Sequence, residues 1–144
     1  MKKNILRFII LFLIALIIFC VIRFLFMDSS KFDSINYEQY LELENKSGLN
    51  IVYIVGDNYY IDEFDKNLQK IFSNKMKSVK KLDITKSENL DGIISNEKFM
   101  NYFKDELILP VLIILEDGNI IGSINYSSEE NIIENLKSLG IEEI

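Results

Sequence analysis

The sequence predicts an α/β domain, a mixed sheet with helices flanking both faces, preceded by one N-terminal transmembrane helix. Three observations predict this class. An apolar stretch, Ile5–Met27, opens the chain. After it, segments with strand character alternate with segments that have helical periodicity, which favours parallel strands joined by helical crossovers. Near the C-terminus, the stretch Leu107–Ile124 has the pattern of a β-hairpin and contains the only proline, Pro110.

The apolar stretch Ile5–Met27 is long enough to cross a bilayer, which requires about 20 apolar residues. Phe8–Ile22 contains no charged residue, and Arg7 and Arg23 can extend toward the two headgroup layers. A cleaved signal peptide is the alternative, but no small residues of a cleavage site surround Cys20. We therefore predict an uncleaved, single-pass membrane anchor.

Basic residues predict the orientation of this anchor. Three of them precede the uncharged core of the apolar stretch, and the positive-inside rule then places the N-terminus in the cytoplasm. The soluble domain is expected to be extracellular. The predicted division of the chain is an anchor at 1–27, a polar tether at 28–34 and a domain at 35–144.

The part of the chain after the anchor is strongly acidic. The chain has 16 basic residues, of which four lie before residue 28, so 12 remain against 22 acidic residues and give a net charge of −10. Such a charge repels nucleic acid and anionic lipid headgroups. We therefore predict neither as a ligand of the domain, and no nucleic acid as a partner.

Two residue types that carry much of enzyme chemistry are missing from the domain. The only cysteine is Cys20, within the apolar stretch, and the chain has no histidine. An intrachain disulfide is therefore impossible, and the commonest general base and metal ligand are absent. Neither a Ser/His pair nor a glycine-rich phosphate loop is present. We predict no catalytic residue, no cofactor and no resident metal.

The first elements of the domain follow from capping and strand signals. Ile35 is predicted to add a short edge strand. Asn36 caps a helix, Gln39 completes a variant of the capping box, and Gly48 is the predicted stop. Asn50–Val55 is β-branched and aromatic, which predicts a strand.

A second helix is predicted to begin near Tyr59–Asp62, with Asp57 or Asn58 as its cap. Ser78–Ile84 alternates weakly and predicts a third strand. The predicted second helix has its apolar residues on one face: Ile61, Phe64, Leu68, Ile71 and Phe72. Four lysines near the start of the strand are interpreted as a solvated rim: Lys75, Lys77, Lys80 and Lys81.

Thr85–Gly92 is polar and is predicted to contain no regular element, whereas Asn96–Leu107 has a helical pattern. The apolar run Val111–Leu115 predicts a strand buried on both faces. Because proline cannot donate to a sheet ladder, Pro110 is expected just before this strand.

Asp117-Gly118 predicts the turn of the hairpin. Ile120–Ile124 forms its second strand, in which Gly122 indicates a bulge or a close approach. Ser127–Glu130 has the spacing of a capping box and starts a last helix that ends at Gly140.

This order of elements, with Leu109-Pro110 directly before the hairpin, resembles the thioredoxin fold over residues 35–144. In that family the proline is cis, so the resemblance implies a cis Leu109–Pro110 peptide. The chain is also similar to small membrane-anchored thioredoxin-like proteins of Gram-positive bacteria, including bacteriocin transport accessory proteins. That similarity implies an accessory role in peptide export or envelope protein assembly.

The chain departs from thioredoxins at their reactive motif. Thioredoxins carry Cys-x-x-Cys at the start of the helix after this strand, where this chain has Asn58–Glu63, and no cysteine follows Cys20. Thiol–disulfide exchange is therefore excluded. The resemblance then implies a redox-inactive protein that binds an extended protein or peptide partner beside the proline. The predicted binding residues are Asn58, Tyr59, Tyr60, Ile61, Asp62, Leu109 and Pro110.

Two alternatives remain open. The first is a metal-dependent enzyme that uses an acidic cluster, although acids at a helix start more often face the helix dipole. The second is a structural subunit of an envelope or export complex, held through the span itself. The acidic cluster would comprise Asp57, Asp62, Glu63 and Asp65, with Asp105 or Glu106.

Overall fold

A computed structural model describes residues 32–104 and 106–142, together with three isoleucines of the N-terminal stretch, Ile14, Ile17 and Ile18. Apart from those three, which are helical, the predicted span Ile5–Met27 lies outside the described residues. Within the described residues, no helix is both long enough and apolar enough to cross a membrane.

Between residues 32 and 142, the described residues form five strands, five α-helices and one 3₁₀ helix. The strands are β1 (Asp33–Ile35), β2 (Leu49–Val55), β3 (Val79–Asp83), β4 (Val111–Glu116) and β5 (Asn119–Asn125). The helices are α1 (Tyr37–Glu44), α2 (Ile61–Phe72), α3 (Ser87–Ser95), α4 (Glu97–Phe103) and α5 (Glu129–Ser138). The 3₁₀ helix, Ser73–Ser78, follows α2 directly.

The five strands form one mixed sheet in the order β1-β3-β2-β4-β5. The pairs β1–β3 and β3–β2 are parallel, and each parallel step along the chain passes through a helix. β4 runs antiparallel to β2, and β5 antiparallel to β4. This arrangement confirms the predicted mixed sheet.

Helices cover both faces of the sheet, as predicted. On one face, the side chains of α2 and α5 pack on Tyr53 and Val55 of β2 and on Leu112 of β4. On the other face, α1, α3 and α4 pack on Val52 and Ile113. Residues 111–115 of β4 are buried throughout, so the apolar run contributes to both cores.

Several local predictions are confirmed. Asn36 and Gln39 form a capping box at the start of α1. Asp117 and Gly118 both have positive φ, as a type I′ turn requires. A Cβ on Gly122 would lie 2.5 Å from a methyl carbon of Leu139, so this glycine marks a close approach of α5.

The predicted irregular segment Thr85–Gly92 is wrong, because α3 occupies Ser87–Ser95. The polar composition concealed this helix. Asn89 is buried, yet its side chain accepts a hydrogen bond from the Tyr37 N–H and donates one to the Asp83 carbonyl. A buried asparagine takes the place of an apolar residue, so the expected helical period is missing.

The helix predicted over Asn96–Leu107 is shorter than expected. α4 covers Glu97–Phe103 and ends at Lys104, which adopts the left-handed conformation. The Asn96 side chain accepts a hydrogen bond from the Phe99 N–H and caps this helix. Leu107 lies after the helix and packs against the core from the loop.

Other boundaries also differ from prediction. The N-cap of α2 is Tyr60, rather than Asp57 or Asn58. The N-cap of α5 is Ser128, whose hydroxyl accepts from the Asn131 N–H, so Ser127–Glu130 does not form a capping box.

The structure also revises two shorter predictions and confirms a third. Asp33 and Ser34, predicted to belong to the tether, instead lie in β1. α1 ends at Glu44, and Gly48 forms the turn before β2. The predicted stop of α5 is confirmed at Gly140, which has positive φ.

Candidate functional site

The predicted binding residues come together at one end of the sheet. β2 ends at Val55, and its antiparallel partner β4 begins at Val111, which is paired with Ile54. The segment that leaves β2 therefore lies beside the segment that enters β4. The Leu109–Pro110 peptide is cis, as the resemblance implied.

Asn58 joins these two segments through its side-chain amide. Its Nδ2 donates to the Leu109 carbonyl at 2.8 Å, and its Oδ1 accepts from the Tyr60 N–H at 2.9 Å. The side chain thus forms a turn before α2 and, at the same time, holds the loop before Pro110. The contact is tight, because a Cβ on Gly56 would lie 2.5 Å from a methyl carbon of Leu109.

Three tyrosines form an aromatic group beside this junction, here called the tyrosine cluster: Tyr59, Tyr60 and Tyr126. Tyr59 is 92% exposed, and its ring lies perpendicular to that of Tyr60 with centroids 5.4 Å apart. Tyr60 stacks on Tyr126 at 4.6 Å, and Tyr126 in turn packs edge-on against the buried Phe64 at 6.2 Å. The cluster is therefore fixed to the core at one side and open to solvent at the other.

Acidic side chains flank the tyrosine cluster. Asp62 and Glu63 lie exposed in the first turn of α2, where the helix dipole favours negative charge. A hydrogen bond with the Glu63 carboxylate, assisted by partial burial and by the negative charge, raises the pKa of Tyr126. Tyr126 therefore remains a neutral hydroxyl at physiological pH.

The loop before Pro110 presents both backbone and apolar groups. Pro110 is buried, Leu109 is half-buried, and Ile108 is 63% exposed. Asn125 Nδ2 donates to the Ile108 carbonyl at 2.7 Å. Among the residues that the structure describes, the Leu109 N–H has no hydrogen-bond partner.

No protein-family model and no curated protein matches this sequence. Solved structures do match. Thioredoxin f2 of Chlamydomonas reinhardtii aligns with a TM-score of 0.58 at 9% identity, covering 78% of this chain and 99% of its own. A thioredoxin from Trypanosoma brucei brucei aligns at 0.55 with 15% identity, covering 77% of this chain and 92% of its own. A mutant thioredoxin from Halobacterium salinarum aligns at 0.52 with 11% identity, covering 76% of this chain and 91% of its own.

The domain has a thioredoxin-like fold. At these identities the likeness shows the fold alone. Within the thioredoxin-like fold of this chain, the start of α2 carries Tyr59 and Tyr60 beside the cis proline. The single cysteine of the sequence, Cys20, lies outside the described residues and before the domain.

Two predicted binding residues contribute little to the surface of the site, the buried Pro110 and Ile61. Ile61 is half-buried and packs against the core beneath α2, so its role is to position the helix. Asn58 contacts Leu109 directly, and the side chain of its neighbour Tyr59 is almost fully exposed.

The acidic residues do not form a cation site in the described part of the chain, where no three acidic side chains converge. Asp65 Oδ2 instead pairs with Lys81 Nζ at 3.0 Å, and Glu63 interacts with Tyr126. Asp105, a member of the predicted cluster, lies outside the described residues.

Sequence reasoning missed Tyr126, and the reason is the register of the hairpin. Counting back from a two-residue turn places Ile114 opposite Ile121, whereas the structure pairs Ile114 with Gly122 and Leu115 with Ile120. This bulge moves the register by one residue, so Val111 pairs with Asn125 and Tyr126 follows beside Pro110. Gly122 already indicated a bulge or a close approach, but that indication alone does not fix the register.

Proposed function

We propose that this protein is a membrane-anchored, redox-inactive thioredoxin-like module that binds an extended protein or peptide segment. The partner lies across the tyrosine cluster and the loop before Pro110. In this proposal the domain supports peptide export or envelope protein assembly by contact. The observation that carries the proposal is the ring of Tyr59, which is 92% exposed beside a loop that offers backbone groups.

The backbone of Leu109 supplies the pairing groups. Its N–H, which has no partner among the described residues, can donate to a carbonyl of an extended peptide. Its carbonyl accepts from Asn58 Nδ2 and retains a second lone pair for a peptide N–H. A bound strand would thus add main-chain hydrogen bonds without disrupting the loop.

The tyrosine cluster supplies the side-chain contacts. Tyrosines combine a large apolar area with few rotatable bonds, so they bind at low cost in conformational entropy. Stacking on Tyr126 restrains Tyr60 before any partner arrives. The acidic neighbours Asp62 and Glu63 favour a partner with basic residues next to its apolar ones.

The lack of thiol chemistry follows from composition. Exchange with a disulfide requires a thiolate, and residues 28–144 contain no cysteine. The anchor follows from the apolar stretch Ile5–Met27, which meets the length needed to span the hydrocarbon core. Together they indicate a domain that holds a segment at the membrane and leaves it chemically unchanged.

A peptide selection tests this function. The full chain in lipid nanodiscs is used to select binders from a displayed library of random peptides, and a selected peptide is then titrated by fluorescence anisotropy. We expect Tyr59→Ala to weaken binding about tenfold, as loss of an exposed aromatic anchor often does.

The matched control is Tyr102→Ala. Tyr102 is 39% exposed on α4, on the opposite face of the sheet, and its removal is expected to leave affinity unchanged. Equal affinities for wild type and Tyr59→Ala would contradict the proposed site.

A further inference from the structure

The ring of Tyr59 has an open face that no cationic side chain of the described residues uses. Tyr59 is 92% exposed, and its ring contact is with Tyr60, perpendicular to it at 5.4 Å. Within the described residues, the cation–π contacts belong to Lys81, which lies 5.4 Å from the ring centroid of Phe32 and 5.2 Å from that of Tyr53. The negative π face of Tyr59 is therefore available to a positive group from outside the domain.

The negative charge of the domain is concentrated around this ring. The segments 56–63, 104–110 and 125–130 meet at the binding site. Together they have seven acidic residues and one lysine, Lys104, so these 21 residues carry −6 of the net charge of −10. The acidic residues are Asp57, Asp62, Glu63, Asp105, Glu106, Glu129 and Glu130.

Local pairing neutralises little of this charge. Among the described residues, one of these acids forms an ion pair, Glu129 with Lys70 at 3.4 Å. Asp57 and Asp62 are exposed, and exposed charges attract an opposite charge over about 8 Å at physiological salt. A positive side chain near the ring is therefore attracted by the carboxylates as well as by the π face, whereas an acidic side chain is repelled.

From these observations we infer that the ring of Tyr59 binds an arginine side chain of the partner segment. The inference rests on the binding site of the proposed function and names the side chain that this site selects. A guanidinium is planar and weakly hydrated and stacks on aromatic faces, whereas the compact ammonium of lysine holds its water more strongly. The N–H groups at the edge of a stacked guanidinium stay free to hydrogen-bond carboxylates. The partner is thus a segment with an arginine next to the stretch that pairs with Leu109.

The composition of selected peptides is the first measurement. The full chain in lipid nanodiscs is used to select from a displayed library of random peptides, and the selected sequences are compared with the unselected library. We expect arginine to be enriched at one position relative to the apolar residues, and to be enriched more than lysine. A parallel selection on Tyr59→Leu, which keeps an apolar side chain without a ring, should lose most of this enrichment.

Replacement of that arginine with citrulline, which has a similar shape but no charge, then measures the contact. By fluorescence anisotropy, citrulline should weaken binding to the wild-type chain about fivefold. On Tyr59→Leu the effect should fall to about twofold, because only the attraction of the carboxylates is left. Tyr102→Leu is the matched control, and with this protein the effect of citrulline should remain about fivefold.

Charge variants test the contribution of the carboxylates. Asp57→Asn with Asp62→Asn should weaken binding of the arginine peptide about threefold and reduce its dependence on salt, with little change for the citrulline peptide. The control pair, Glu134→Gln with Glu142→Gln, removes the same charge from exposed positions elsewhere and should leave both affinities unchanged.

Several results would overturn the inference. They are selected peptides without enriched arginine, a preference for lysine, an equal effect of citrulline on wild type and Tyr59→Leu, and equal affinities for the two charge-variant pairs. If such peptides still lose affinity with Tyr59→Ala, the proposed binding site stands and only the arginine contact fails. If Tyr59→Ala binds them as tightly as wild type, the proposed site fails and this inference fails with it.

Discussion

Removal of the Asn58 side chain tests how the site is held together. In Asn58→Ala, the Leu109 carbonyl loses a donor at 2.8 Å and the Tyr60 N–H loses an acceptor at 2.9 Å. Each hydrogen bond contributes about 0.5–1.5 kcal/mol net, and more when the abandoned partner is buried. Because this contact is part-buried, we expect the free energy of unfolding to fall by about 2 kcal/mol.

The substitution Asn58→Asp separates the two hydrogen bonds. It keeps the acceptor for the Tyr60 N–H but directs a carboxylate at the Leu109 carbonyl. At pH 7 we expect a loss of stability at least equal to that of Asn58→Ala. Protonation restores a donor, and it occurs in the folded protein first, so the deficit should shrink as the pH falls toward about 4, the usual pKa of an aspartate, and be smallest below it.

The assay is urea unfolding of the full chain in detergent micelles, followed by tyrosine fluorescence. The control is Asn135→Ala, because Asn135 makes one side-chain hydrogen bond on the exposed face of α5. Its removal should change stability by less than about 0.5 kcal/mol. If Asn58→Ala and Asn135→Ala unfold at the same urea concentration, the Asn58 contact does not hold the site.

Three further predictions concern the scaffold. In Gly118→Ala the new Cβ would lie 1.9 Å from a backbone oxygen at a position with positive φ, so the free energy of unfolding measured with urea should fall by at least about 3 kcal/mol. Gly48 also has positive φ but open space around it, so Gly48→Ala should lower the free energy of unfolding by about 1 kcal/mol. Equal losses in the two variants would contradict the steric argument. Burial, and then the Asp65 carboxylate, raise the pKa of Tyr53, so the unfolded chain loses this proton first and stability should fall by about 1.4 kcal/mol per pH unit above about pH 10. In Tyr53→Phe, the fall in stability that is due to Tyr53 should disappear when alkaline unfolding is followed by circular dichroism. A slope of stability against pH equal to that of the wild type would refute this role of Tyr53. Asn89→Ala leaves the Tyr37 N–H and the Asp83 carbonyl without their partner at a buried position, so the free energy of unfolding should fall by about 3 kcal/mol. A fall of less than about 1 kcal/mol would contradict this account of α3.

Much of the fold could be predicted because its signals are local. The apolar run Val111–Leu115 identifies a strand buried on both faces, and Asp117-Gly118 identifies the hairpin turn. The capping box at Asn36 fixes the start of α1 from two side chains alone. Such signals depend on neighbours in sequence, which the sequence displays directly.

The features that escaped prediction depend on residues distant in sequence. α3 was missed because Asn89 is buried by hydrogen bonds with Tyr37 and Asp83, 52 and 6 residues away. The stacking of Tyr60 on Tyr126 depends on the bulge in β5, which shifts the hairpin by one residue. The meeting of Asn58 with Leu109 was expected only through the resemblance to thioredoxins.

Photo-crosslinking at Tyr59 tests the proposed contact surface most directly. Benzoylphenylalanine replaces Tyr59 in the full chain, and a second protein carries it at Tyr102 as the matched position. After irradiation in intact membranes, the account predicts an adduct from position 59 that decreases when a selected peptide is added in excess. An adduct absent from position 59, equally strong from position 102, or unaffected by the peptide would contradict it.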